Sequence, residues 1–138
     1  MSATAEARPT SEESGRKRYS RIVFAGLAWM LVVCVLVQVF LAGLIVFESG
    51  EYIEDHTTFV HVFEFVPWIM LLIVFIGGLG RSLAIHAFVI GILIGLQYAF
   101  AEAENGTVGA LHAVNALLIF WLTIATALRV TRQLRARV

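Results

Sequence analysis

The stretch that decides the fold is "IVFAGLAWMLVVCVLVQVFLAGLIVF" (22–47), whose one strongly polar residue is Gln38. A helix needs about 20 apolar residues to cross the hydrocarbon core of a bilayer, and this run exceeds that without a charge. Three more apolar runs follow, so the sequence predicts membrane-spanning helices over about 22–47, 57–79, 83–103 and 108–130. The 138-residue chain is 59% hydrophobic with a mean hydropathy of +0.86, where a soluble domain is near half apolar. Subtracting four spans leaves too little chain for a soluble domain. The expected fold is all-α, an integral membrane four-helix bundle over 21–130. A polar tail (1–20), expected to be disordered, precedes it, and a basic tail (131–138) follows it.

Charge orients the bundle. The 10 Lys and Arg balance the 10 Asp and Glu, but the signs are segregated. Every cation lies within 8–21, at Arg81, or within 129–137. The other two connections, "ESGEYIEDH" (48–56) and "EAENGT" (102–107), are acidic. Basic residues stay on the cytoplasmic side, so both termini are expected in the cytoplasm of a multi-pass plasma-membrane protein. The N-terminal segment is not read as a signal peptide, because the apolar run after it is too long. Cys34 has no intrachain partner for a disulfide. The lipid bilayer is the expected partner, and no nucleic acid is.

Polar landmarks recur. The first hairpin reads "LVQVFLAG" then "HVFEFVPWIMLLIVFIGGLGR", and the second "IGLQYAFA" then "HAVNALLIFWLTIATALRVTR". Each has a glutamine in its first helix, Gln38 and Gln97, and a histidine near the start of its second, His61 and His112. A polar residue follows three positions later, Glu64 and Asn115, and an arginine twenty positions later, Arg81 and Arg132. Two hairpins of the same direction are parallel repeats about an axis along the membrane normal. The repeat puts His61 and His112 at one depth, facing each other across the bundle, with His56 in the outer loop and solvated.

Two imidazoles from facing helices can supply both axial positions of a haem iron. The expected metal ligands are therefore His61 and His112, and the expected cofactor is haem b. Gly109 and Ala116 share the face of His112 at helical spacing and would leave room for a flat ring. Thr57, Thr58, Glu64, Phe65 and Trp68 would furnish hydrogen bonds and an aromatic wall. A backbone carbonyl one turn back would take the other ring N–H of a ligating histidine. Asn115, Gln38 and Gln97 complete the candidate pocket, although interhelical hydrogen bonding accounts for the glutamines as well. Glu64 reads as a proton relay, a pocket hydrogen-bonder or a side chain reaching for the interface. Pro67 is expected to kink the second helix. His86, near the other membrane face, reads as interfacial.

The glutamine-bearing helix, the short outer loop and "LHAVNALLIF" (111–120) resemble one four-helix half of haem A synthase over roughly 22–130. "GALHAVNALLIF" (109–120) is also similar to a family of small bacterial four-helix membrane proteins of unknown function. The synthase resemblance implies a histidine pair on the second and fourth helices, matching His61 and His112. It also implies a catalytic glutamate three residues before the first histidine and often an arginine just after it. Here Thr58 and Val62 stand at those positions, and one half is present rather than two. Haem binding is therefore expected and synthase activity is not. With no cation on the outer side, Tyr52, His56, Thr57, Thr107 and backbone amides would meet haem carboxylates.

These residues point to a membrane b-type haem protein for electron transfer or haem handling, not an enzyme by itself. Candidate partners are a quinone, a redox protein or a second copy of the chain. Two alternatives stay open: a cofactor-free structural or accessory subunit, and a proton- or ion-conducting bundle using Glu64.

Overall fold

A computed structural model describes residues 11–136 and is helical throughout, with no strands among the described residues. The helices are α1 (Ser11–Phe47), α2 (Ile53–Phe63), α3 (Val66–Gly77), α4 (Arg81–Ala101), α5 (Gly106–Gly109) and α6 (Leu111–Arg135). A 3₁₀ turn, Gly50–Tyr52, precedes α2. Four segments are long and apolar enough to cross a membrane: Gly15–Phe47, Gly50–Gly77, Arg81–Ala101 and Gly106–Arg135.

The boundaries differ from expectation at both ends. Helix α1 starts at Ser11, so residues 11–20 of the expected tail are helical and continuous with the first span. The expectation of disorder over 1–10 lies outside the described residues. At the other end α6 runs on to Arg135. Arginine and lysine are good helix formers, and a helix already nucleated by a long apolar run extends at little cost.

The second span is two helices. Pro67 stands at the start of α3. Its ring and missing N–H disrupt the turn before it, and the chain passes through Glu64 and Phe65 between α2 and α3. The amides of Trp68 and Ile69 both donate to the Phe65 carbonyl, at 3.1 Å each, restarting the helix.

The turn "GGLGR" (77–81) is set by glycine conformation. Gly78 caps α3 in the left-handed region at φ 58, and the Leu79 amide reaches back to the Val74 carbonyl at 3.1 Å. A side chain at Gly78 would meet open space, so its cost is backbone strain alone. Gly78→Ala is expected to lower stability by about 1 kcal/mol, read from the unfolding midpoint in mixed micelles.

Packing follows helical periodicity. In α1, Phe24, Ala28, Leu31 and Val35 are buried, one stripe at i, i+4, i+7 and i+11. They share one core with Met70 and Val74 of α3, Leu83, Ala87 and Ile90 of α4, and Ala127 and Val130 of α6. Helix α1 packs along α2, α3 and α6, and α4 packs along α3 and α6. The second and fourth spans thus occupy opposite corners. Outward positions such as Val33, Phe40, Leu72, Phe75 and Trp121 are exposed and apolar, as contact with lipid requires.

Two close approaches lock the layers. The Trp68 ring lies over Gly91 of α4, where an added Cβ would sit 2.9 Å from it. Gly77 lies against the buried Ser20 of α1, whose Cβ and Oγ any added methyl would strike.

Candidate functional site

Helix α2 packs along α1, and the space beside it opens into a cavity of about 400 Å³. Gln38 and Ala42 of α1, His56, Thr57 and His61 of α2, Gln97 and Tyr98 of α4, and His112, Ala113 and Ala116 of α6 line it. The lining is otherwise largely aliphatic.

His56 is the residue that the sequence misplaces. It lies inside α2, half-buried on the cavity wall, rather than solvated in a loop. The helix starts early because Glu54 and Asp55 occupy its first turn, where carboxylates favour the N-terminal dipole. Its ring centre lies 6.2 Å from that of His112, tilted by 47°. Along α2, positions 56 and 61 differ by about 140° of helical rotation, so the two histidines face different neighbours. His56 shares its face with Val60 and Phe63 and meets α6. His61 shares its face with Thr57 and Glu64 and meets α4.

The proton positions on His112 follow from its partner. Its Nδ1 lies 3.2 Å from the Gln97 carbonyl, which can only accept. Nδ1 therefore carries the proton and Nε2 keeps its lone pair. The acceptor comes from the neighbouring helix α4 rather than from one turn back. His56 Nδ1 is buried with no hydrogen-bond partner among the described residues, as is Gln38 Oε1. The Gln38 amide donates to the His56 carbonyl at 2.8 Å, fastening α1 to α2 at this level.

Gln97 and Asn115 tie α4 to α6. The buried Asn115 amide donates to Gln97 Oε1 and to the Leu93 carbonyl, each at 2.8 Å. An interhelical bond in a bilayer contributes roughly 0.6–2 kcal/mol. Asn115→Leu removes both bonds and is expected to destabilise by about that much, measured by unfolding in mixed detergent micelles.

A second polar cluster bridges α2 and α4. Tyr98 donates its hydroxyl proton to Glu64 Oε2 at 2.5 Å, and His61 Nδ1 lies 3.0 Å from Glu64 Oε1. The His61 and Tyr98 rings stack at 6.1 Å and 20°. Tyr98 escaped the sequence reading because an interfacial-looking tyrosine at a helix end is unremarkable in one dimension. Its adjacency to Gln97 was the available signal.

Other candidates lie elsewhere. Trp68 does not line the cavity; it packs edge-on to Phe88 at 6.0 Å and over Gly91, on the α4-facing side that His61 also takes but two turns, ~10 Å, further along the span. Gly109 ends the turn α5 and sits near the Phe100 and Ala103 carbonyls, and it is not among the residues that line the cavity. Ala116 does line the cavity. His86 lies 2.9 Å from Thr126 Oγ1; since Thr126 donates to the Leu122 carbonyl, His86 is the donor to it. Among the described residues no group of three or more His, Cys, Asp or Glu is placed to hold a bare metal ion.

A family model described as a family of unknown function (DUF6220) matches residues 38–104, and no curated protein and no solved structure matches the chain. The matched stretch runs from Gln38 through α2, α3 and α4, taking in His56, His61, Glu64 and Tyr98 and ending before His112.

Proposed function

We propose that this is a multi-pass plasma-membrane protein that holds one b-type haem in the cavity between α2 and α6, for electron transfer or haem handling. One observation carries the reading: the rings of His56 and His112 stand 6.2 Å apart across an apolar cavity. Two imidazoles bound through nitrogen on opposite sides of one ion, each ~2 Å from it, hold their centres roughly 6 Å apart.

The donor chemistry fits. His112 presents a lone pair at Nε2 with its Nδ1 proton on a carbonyl, the usual arrangement of a ligating histidine. His56 Nδ1 has no competing partner among the described residues. Ala42, Ala101, Ala113 and Ala116 keep the walls low around a flat ring. The repeat spacing favours His61 as the second ligand, whereas ring geometry favours His56, since His61 is engaged by Glu64 and stacked on Tyr98. A bound haem would supply one-electron redox chemistry. His56 and His112 would hold it, and the alanine and aliphatic walls would shield it from water and set its orientation.

The same reading makes the two hairpins parallel repeats with both termini cytoplasmic, supported by the charge pattern. That puts the cavity near the outer face. The resemblance to one half of haem A synthase supports the helix-two and helix-four pairing. A cofactor-free accessory subunit is the second reading, favoured by how Gln38, Gln97, Asn115 and His112 find partners inside the bundle. Absorption spectra of purified protein, before and after dithionite and with haemin added, separate the two. Sharp low-spin haem bands support haem binding, and a preparation that stays colourless with haemin supports the accessory subunit.

A further inference from the structure

We propose that the mouth of the cavity between α2 and α4 binds the head group of a lipid-soluble hydroquinone, recognised through its hydroxyl by His61, Glu64 and Tyr98. The site goes beyond the haem assignment and stands without it.

The argument begins with proton positions. Both oxygens of a carboxylate accept, and each has more than one lone pair. The single Tyr98 hydroxyl proton points to Glu64 Oε2, and the His61 Nδ1 proton to Oε1. With His61 neutral, the cluster still offers the His61 Nε2 lone pair and the remaining lone pairs on Glu64 and on Tyr98, whose hydroxyl oxygen also lies 3.4 Å from His61 Nδ1. Every free position is then an acceptor. Such a cluster selects a donor and opposes a ligand that presents only carbonyl oxygens.

Its surroundings say where the donor comes from. The His61 side chain is 61% exposed. Its neighbours Val62, Phe65 and Ile69 are exposed and apolar, within a segment long and apolar enough to span a bilayer. His61 lies four residues past position 57, where the expected span begins, ~6 Å along the helix. An unsatisfied acceptor in contact with lipid is costly, and polar groups within a span mark functional sites. A charged donor would have to cross lipid to arrive, whereas a neutral hydroxyl on an apolar molecule partitions there. The stacked His61 and Tyr98 rings offer a flat surface to a flat ring at the cavity mouth. A hydroquinone combines the donor hydroxyl, the flat ring and the apolar tail. Its oxidised quinone lacks the donor.

The test uses the full chain in quinone-free nanodiscs. The probes are a decyl-substituted benzohydroquinone and its quinone, with binding read by titration of the thermal unfolding midpoint. The hydroquinone is expected to bind about tenfold more tightly than the quinone, as one charge-assisted hydrogen bond implies. In Glu64→Gln, whose amide can donate to a carbonyl, the preference is expected to shrink to within about twofold. Tyr98→Phe should keep a preference, because Glu64 and His61 remain acceptors. Equal affinities in the native protein, tighter binding of the quinone, or a preference that survives Glu64→Gln each overturns the proposal. The readout needs no haem, so a colourless preparation defeats the haem assignment and leaves this test standing.

Discussion

His112→Ala, purified in detergent with haemin added, is expected to lose the low-spin haem spectrum, with haem affinity down by at least about 100-fold. Removing an outer-shell partner of a metal ligand already costs 10–100-fold, and in the proposed haem site His112 would be the ligand itself. The loss has a geometric cause. His112 sits at the start of α6 with its Nδ1 proton held by the Gln97 carbonyl, so no other α6 side chain can bring an imidazole to that point. His56→Ala is expected to behave alike, because its ring stands opposite at 6.2 Å. His61→Ala is expected to keep the spectrum, since that imidazole is turned about 140° away along α2 and rests on Tyr98. The pattern discriminates between candidate ligands. Loss in His61→Ala with retention in His56→Ala would return the second axial position to the residue that the repeat favours.

Gly77→Ala is expected to be the most damaging of the helix-packing substitutions. The added methyl would collide with Ser20 Cβ, an atom fixed to the α1 backbone, as well as with its Oγ. Relief requires α1 and α3 to separate, and Ser20 is buried. Overpacking of this kind costs about 1–3 kcal/mol, and a contact that cannot rotate away belongs at the upper end. Ser20→Gly in the same chain should recover part of the loss, offset by about 1 kcal/mol for glycine within a helix. A double-mutant cycle in mixed micelles should return a coupling of at least about 1 kcal/mol between the two sites. Coupling near zero would mean that α1 and α3 do not approach at this level. Gly91→Ala should be milder, because its obstacle is the Trp68 ring, which can turn.

The glutamines show what a one-dimensional reading can reach. Gln38 and Gln97 are polar in apolar helices, which marks them as interhelical bonders, and the fold supplies partners in the His56 carbonyl and Asn115. Asn115 and His112 were legible as inward-facing because both break an apolar run. His56 was not, since an acidic stretch before an apolar run looks like a loop until the helix N-terminus is placed. Tyr98 was not, because its partner Glu64 lies 34 residues away on another helix. Trp68 shares the α4-facing side of His61 but lies two turns deeper, over Gly91, and the depth of a side chain relative to a cavity is not legible in helical spacing.

The sequence by itself determined that the described chain is helical and that four segments can span a bilayer. Hydropathy summed over a window is a local quantity, and a backbone in hydrocarbon must satisfy its own hydrogen bonds, which leaves the helix as the answer for such runs. Only the tertiary structure decided which histidine faces which. That depends on where each helix begins, where Pro67 interrupts it and how the helices rotate against one another. A shift of one residue turns a side chain by about 100° without changing the hydropathy that betrays the span.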